Sequence, residues 1–170
     1  MPPKAEKEAL FEQLYSQYYG MVLHLCTGFM QGHRDTAHDL AQEVFVNTWQ
    51  ALGSFANKAT HKTWLYRITV NTCLQAIRKE KSRPQQPLAE TDLAAAAEAP
   101  AQAEANPHQP LYRAIGQLQA VDRLVVMLVL DGLAYDEIAR ITGITEGNLR
   151  VKVHRIKQRL KKLMTHEQPQ

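Results

Sequence analysis

The sequence is poor in cysteine and in long apolar runs, and each shortage excludes a class of protein. Cys26 and Cys73 are the only two cysteines, and neither lies in a Cys-x-x-Cys pair or a Cys/His cluster with metal-ligand spacing. We therefore expect reduced thiols in an apolar core and no metal site. The longest apolar run, Leu124 to Leu130, is far shorter than the roughly 20 residues of a membrane span.

Signatures of catalysis and of secretion are also missing. The chain has no glycine-rich phosphate loop, no Gly-x-Ser-x-Gly and no His-Glu-x-x-His, and its 7 histidines are scattered. We expect a protein that is not an enzyme, with no cofactor and no small-molecule substrate. The amino terminus alternates charges and lacks the apolar segment of a secretion signal, which predicts a cytoplasmic location.

The charges divide the chain into three parts. Residues 1–83 carry ten basic and seven acidic side chains. Residues 84–110 carry four acidic side chains and no basic one, and residues 111–170 carry ten basic and six acidic side chains. The middle part is also rich in proline and alanine and has no aromatic residue, so it cannot bury a core. We predict helical domains at 1–83 and 111–170, joined by a flexible acidic linker at 84–110.

Apolar periodicity predicts an all-α fold. Residues 8–30, 35–52 and about 60–81 each show a helical period and predict a small three-helix bundle. The period returns at Leu111 and continues to about Asp131, after which two short helices follow around a glycine. No segment shows the alternation typical of a strand.

The segment from Tyr135 to Leu163 predicts a DNA-reading helix-turn-helix. Small Ala139 permits close helix crossing, Gly143 suits a left-handed turn position, and Thr145 can cap the second helix. From Asn148 onward that helix has one apolar face and one face with only positive charge. The alternative is a solvated basic helix in an ordinary bundle.

A second group of residues mixes aromatic, amide and basic side chains. It comprises Ser54, Phe55, Lys62, Trp64, Arg67, Asn71, Gln75, Arg78 and Lys79. Unpaired bases stack on aromatic rings, amides hydrogen-bond base edges and cations follow phosphates, so this group suits single-stranded DNA. The alternative is that Trp64 and Tyr66 belong to the core; we expect Trp64 to be partly buried and Asn71 to be exposed.

Three motifs resemble the extracytoplasmic-function (ECF, group IV) sigma factors of bacterial RNA polymerase. DLAQEVFVNTWQAL (39–52) is similar to region 2.2, TWLYRITVNTCLQAIRKEKS (63–82) to regions 2.3 and 2.4, and residues 131–163 to region 4.2. The chain departs from the usual family pattern in having Gln119 in place of proline, Ala134 in place of serine and Asn148 in place of threonine. The last difference bears on which promoter is read.

The resemblance implies a sigma subunit with three binding surfaces. Asp39, Gln42, Glu43 and Asn47 would bind the clamp helices of the polymerase β′ subunit, and the aromatic and amide group above would bind and open the −10 element. The −35 element would be read by Thr145, Glu146, Asn148, Arg150, Lys152, Arg155 and Lys157. The polymerase β flap and an anti-sigma factor are further expected partners.

Some alternatives stay open from the sequence. Glu146 would either accept a hydrogen bond from cytosine or favour the helix amino terminus electrostatically. A dimeric helix-turn-helix regulator that never touches polymerase is the main rival function, but it leaves the aromatic and amide group unexplained. A sigma-like protein that only sequesters partners is a second rival, and the intact basic helix argues against it.

Overall fold

The computed structural model describes residues 3–82 and 107–166, and every regular element in these two ranges is helical. The α-helices are α1 (Lys4–Phe29), α2 (Arg34–Ala51), α3 (His61–Ser82), α4 (Gln109–Gly116), α5 (Ala120–Leu130), α6 (Tyr135–Thr142) and α7 (Glu146–His166). A short 3-10 helix, Leu52–Ser54, continues from α2. The predicted all-α fold is confirmed, and the part of the chain described contains no helix apolar and long enough to cross a membrane.

Helices α1 to α3 form the predicted bundle because each buries one apolar face. Leu14, Val22 and Leu25 of α1 are at most 1% exposed, and Val44 of α2 and Leu65 of α3 are fully buried beside them. The turn between α1 and α2 is tight, with positive φ at Gln31 and Gly32. This packing fixes the outer faces of α2 and α3, which carry the polar side chains considered below.

The helical period predicted from Leu111 to about Asp131 is divided between two helices, because the chain turns between α4 and α5. Gly116 ends α4, and Gln119 has the extended φ and ψ of −63° and 153° at the start of α5. Leu118 is buried within this turn, so the apolar period continues through the break and hides it from a periodicity analysis. The Arg123 guanidinium donates a 2.6 Å hydrogen bond to the Leu118 carbonyl and satisfies it.

Most of the predicted linker, residues 84–110, lies outside the described residues. Where the structure resumes, α4 begins at Gln109 and includes Pro110 in its first turn, a position at which proline costs no hydrogen bond. The two groups of helices are in contact, since α1 and α3 pack against α5 and α6. The sequence did not predict this contact.

Both cysteines lie where the apolar pattern predicts. Cys26 of α1 and Cys73 of α3 are fully buried and free. A hydrogen bond with Cys26, followed by burial, raises the pKa of the Cys73 thiol well above its usual range. A protonated, inaccessible thiol is a poor nucleophile.

We predict that neither thiol of the folded protein reacts with Ellman's reagent at pH 8 on the timescale of minutes, because the reagent needs an accessible thiolate. In urea at the same pH both should react within that time. A Ser16→Cys variant supplies an exposed thiol as the positive control, since Ser16 lies on the exposed side of α1. Rapid reaction of Cys26 or Cys73 without denaturant would contradict the buried, paired arrangement.

Candidate nucleic-acid interface

The turn between α6 and α7 has the geometry that the sequence predicts for a helix-turn-helix. Gly143 ends α6 with φ of 76°, in the left-handed region that glycine adopts without strain. The Thr145 hydroxyl accepts a 3.3 Å hydrogen bond from the Asn148 N–H, and the Thr145 carbonyl accepts one from Leu149 at 2.8 Å. The predicted cap is therefore present and sets the start of α7.

Helix α7 separates an apolar face from a basic one. Leu149, Val153, Ile156 and Leu160 are buried against the rest of the second half. The other face holds what we call the α7 surface, and all its members are exposed: Thr145, Glu146, Asn148, Arg150, Arg155 and Lys157. With only one acid among them, these residues present positive charge to solvent at the amino-terminal half of the helix, where recognition helices contact bases.

Lys152, which we predicted to contact the −35 element, is paired in the structure with a residue of another helix. Its ammonium donates a 2.8 Å hydrogen bond to Asp122 of α5, and both side chains are about one-third exposed or less. The lysine therefore holds α7 against α5. Asp122 lies 30 positions away, so helical spacing within α7 gave no sign of the pair.

Arg150 is oriented by two neighbours. Its guanidinium lies 5.5 Å from the centre of the Tyr135 ring and 3.8 Å from the Glu146 carboxylate one turn earlier. Tyr135 begins α6, and sequence analysis missed its role because the contact joins two helices. Glu146 also sits in the first turn of α7, where a negative charge is favourable, which supports the electrostatic interpretation of that residue.

Helix α3 carries the aromatic and amide group on one face. Trp64, Arg67, Asn71, Gln75 and Arg78 recur at steps of three and four, which aligns them along the helix. Asn71, Gln75 and Arg78 are exposed and Trp64 is half-buried, as expected. We call these five residues and Phe55 the α3 surface.

Phe55 extends this surface into the loop before α3. Its ring lies 4.7 Å from that of Trp64 and 4.9 Å from that of His61. Arg67 of this surface has an unsatisfied hydrogen-bond donor, because its Nε atom is buried and has no hydrogen-bond partner among the described residues. Ser54 is exposed, but its hydroxyl donates 2.8 Å to the Ala51 carbonyl and closes the 3-10 turn. The arrangement offers aromatic faces beside amides and cations.

The structure places two predicted members of this group elsewhere. Lys62 lines a cavity between the two halves, together with Tyr66 and Asp131. Lys79 lies 3.4 Å from Glu43 of α2 and so faces the α2 side of the bundle. Both positions follow from the helical period of α3, since neither falls on the stripe that runs from Trp64 to Arg78.

The polar face of α2 is continuous and includes one apolar residue. Asp39 and Gln42 are exposed and Glu43 is partly exposed, while the Asn47 amide donates a 3.0 Å hydrogen bond to Thr72 of α3. Val46 stands among them with 54% of its surface exposed. We call Asp39, Gln42, Glu43, Val46 and Asn47 the α2 surface. Sequence analysis overlooked this exposed valine, which by itself identifies no partner because single apolar residues are common on protein surfaces.

No group of three or more histidine, cysteine or acidic side chains within residues 3–82 and 107–166 is arranged to hold a metal ion. The surfaces present hydrogen-bonding, aromatic and charged groups in three separate regions, two of them rich in cations. Such a combination is suited to binding macromolecules.

Comparison with known proteins agrees with this geometry. The family model for sigma-70 region 2 matches residues 14–83, and the model for sigma-70 region 4 matches residues 108–160. The chain also shares 30% identity with an ECF sigma factor over 76% of that relative's length, so it belongs to the ECF family of RNA polymerase sigma factors. As a member it is an alternative sigma factor that acts in transcription initiation, and sigma factors are not enzymes as a class.

Several relatives of this ECF sigma factor cover most of its length. ECF sigma factor SigM of Mycobacterium tuberculosis is 30% identical over 155 residues, which are 91% of this chain and 76% of SigM. RNA polymerase sigma-H factor of Pseudomonas aeruginosa is 27% identical, over 95% of this chain and 89% of its own.

Two solved structures share the fold. The sigma factor RpoE, solved in complex with the anti-sigma factor NepR from Bartonella quintana, superposes with a TM-score of 0.70 and 23% identity, over 93% of this chain and 98% of RpoE. CnrH, solved with the cytosolic domain of CnrY, gives a TM-score of 0.63 and 22% identity, over 95% of this chain and 91% of CnrH.

We predict that Lys152→Met lowers the free energy of unfolding by about 1–2 kcal/mol, because it leaves the partly buried Asp122 carboxylate without its partner. Arg155→Met is the matched control. It removes the same charge from an exposed position on the same helix and should change stability by less than about 0.5 kcal/mol. Urea unfolding followed by circular dichroism measures the free energy of unfolding of both variants. Equal losses of stability in the two variants would show that the pair with Asp122 does not stabilise the protein and that Lys152 acts as a further cation of the α7 surface.

Proposed function

We propose that the three surfaces divide the work of a sigma subunit: the α2 surface docks on core polymerase, the α3 surface holds the opened −10 strand, and the α7 surface reads the −35 duplex. The observation that carries this proposal is the difference in chemistry between α3 and α7. A protein that bound only duplex DNA would need the basic α7 surface but not the aromatic rings and amides of α3.

The α2 surface fits a helical partner of opposite charge. Asp39 and Glu43 are one turn apart, and Val46 provides an apolar contact beside them. Attraction between opposite charges orients the two proteins as they approach. The valine then contributes apolar area that is buried in the complex. The clamp helices of β′ are the proposed partner of this surface, and the β flap is the proposed partner of the second half.

The α3 surface suits a strand whose bases are already unstacked. Phe55 and Trp64 offer ring faces for stacking with bases. Asn71 and Gln75 offer hydrogen-bond donors and acceptors for base edges, and the exposed Arg78 can contact phosphate. These interactions form only after the duplex has parted, so their binding energy favours the open complex over the closed one.

The α7 surface suits the major groove of a duplex. Asn148 can pair with adenine and Arg150 with guanine, each good pair discriminating by about 1–3 kcal/mol. The contacts of Arg150 with Tyr135 and Glu146 limit its rotamers before DNA arrives. Arg155 and Lys157 lie further along the helix and serve the phosphate backbone.

We also propose an anti-sigma factor as a partner, and the cytoplasm as the place of action. Both similar structures were solved with another protein, and the first is a sigma factor in complex with an anti-sigma factor. The exposed, mixed surface of α2 is a suitable target for such a partner, which would then compete with core polymerase. Any bond-forming chemistry belongs to the polymerase.

For docking, we expect the double change Asp39→Lys and Glu43→Lys to abolish binding to core polymerase, because it reverses the charge of the α2 surface. Co-purification with core polymerase from the same organism measures the loss. The double change Asp35→Lys and Glu12→Lys is matched in charge and lies outside the α2 surface, so it should bind normally. Wild-type recovery of the first variant would refute the assignment.

For strand opening, we expect Asn71→Ala to spare the closed promoter complex and to reduce the permanganate reactivity of thymines near the start site. A template with a pre-melted bubble should restore transcription, because the opening step is then bypassed. Ser82→Ala, at the end of the same helix, is the control. If Asn71→Ala is equally defective on bubble and duplex templates, Asn71 has a structural role and the α3 surface does not open DNA.

A further inference from the structure

Val151 is an exposed apolar residue in the middle of the basic face of α7. Its side chain is 51% exposed, whereas the other apolar residues from Leu149 to Leu160 are buried. Exposure alone identifies no ligand, since single apolar residues are common on protein surfaces. What distinguishes this valine is its place on a helix whose outward face carries the groups proposed to read duplex DNA.

Val151 lies opposite the buried face of α7. It stands two positions after Leu149 and two before Val153, and two positions on a helix with 3.6 residues per turn are a rotation of about 200°. Leu149 is fully buried and Val153 is 4% exposed. The valine therefore projects outward in the second turn of the helix, at the centre of the face that would approach a DNA groove.

The two cations that flank Val151 in the sequence are both oriented by other helices. The Arg150 guanidinium lies 5.5 Å from the centre of the Tyr135 ring of α6. The Lys152 ammonium donates a 2.8 Å hydrogen bond to Asp122 of α5. Because these contacts lie on opposite sides of α7, they resist rotation of the helix about its axis. The valine is the side chain that stands between them.

The surface beside Val151 is open. Gly147 lies one turn earlier on the same face, and a Cβ added there would meet no atom within 4 Å, so no packing contact requires glycine. Its missing side chain leaves the methyl groups of Val151 unobstructed toward the amino terminus of α7, where a recognition helix comes closest to the bases. Asn148 and Arg155, three positions before and four after, flank the valine with exposed polar groups.

Valine restricts the chemistry that this position can offer to a base. Its methyl groups neither donate nor accept hydrogen bonds, so they cannot pair with the nitrogen and oxygen atoms on the major-groove edges of the bases. Among those edges only thymine displays a methyl group, at C5. Packing valine against a hydrogen-bonding group instead would remove water from that group without giving it a partner, which is unfavourable.

We propose that Val151 is a specificity-determining residue of the −35 contact and packs against the C5-methyl group of a thymine in the major groove. Burial of the two apolar groups favours thymine, and uncompensated desolvation disfavours the other bases. Asn148 and Arg155 keep their polar contacts on either side, so the valine adds a preference at a single base pair. This inference rests on the proposed role of the α7 surface in reading the −35 duplex.

Val151→Ala removes the methyl groups and should leave the fold intact. The valine is half exposed and alanine is the better helix former, so stability in urea should equal or exceed that of the wild type. Val121→Ala is the matched control, because Val121 is a helical valine with 38% exposure and lies outside the α2, α3 and α7 surfaces. Val151→Ile keeps an apolar, β-branched side chain and should retain the wild-type preference.

The full chain, assembled with core polymerase, would select binding sites from a random duplex library. Wild type, Val121→Ala and Val151→Ile should all enrich thymine at a particular −35 position, and Val151→Ala should lose the preference at that position alone. Replacing this thymine with deoxyuridine removes the C5-methyl group and keeps every hydrogen-bonding group. Competition binding should then show about a fourfold loss of wild-type affinity, as expected for one methyl group removed from an apolar contact, and no loss for Val151→Ala.

Equal affinity of the wild type for thymine and deoxyuridine at every −35 position would overturn the inference, as would an equal loss in Val151→Ala. Asn148→Ala and Arg150→Ala distinguish this failure from a failure of the proposed function. If they change the selected −35 bases while Val151→Ala does not, the α7 surface still reads DNA and only the role of Val151 is wrong. If none of the three variants changes the selection, the α7 surface does not read the −35 element and both proposals fail.

Discussion

The burial of helix α1 is the interaction on which the rest of the structure depends. Its apolar residues contact α2 and α3 along most of its length, and its last turn contacts α5. Because one face of α1 is committed to α2 and α3, those helices must turn their polar faces outward, and this produces the α2 and α3 surfaces. Removing water from apolar area is the dominant favourable term in folding, so the positions of the functional groups follow from the packing of α1.

The elements that the sequence predicted well are those whose signal is local. The caps and turn of α6 and α7 follow from Gly143 and Thr145, and the position of α3 follows from its apolar period. The stripe from Trp64 to Arg78 was also predictable, since helical spacing determines which residues share a face. Family motifs suggested a role for each surface, which neither periodicity nor charge could supply.

The features that the sequence did not indicate involve contacts between distant segments or a break that preserves the apolar period. In the sequence Lys152 is one cation among several, and only the structure places Asp122 of a different helix beside it. Lys62 lines a cavity with Tyr66 and Asp131, and Asp131 belongs to a distant segment. The turn between α4 and α5 was invisible because Leu118 stays buried within it. In each case the position of the side chain depends on a part of the structure that the helical period of its own segment does not reveal.

The two halves of the chain share one apolar core. Buried residues of α1 and α3 lie in the same hydrophobic cluster as those of α5 and α6, and polar contacts around Arg123 and Asp131 join the halves at its edge. Because the same burial that folds each half also packs one half against the other, the positions of the α3 and α7 surfaces relative to each other follow from apolar packing. Contacts between the surfaces themselves are therefore not needed to orient them.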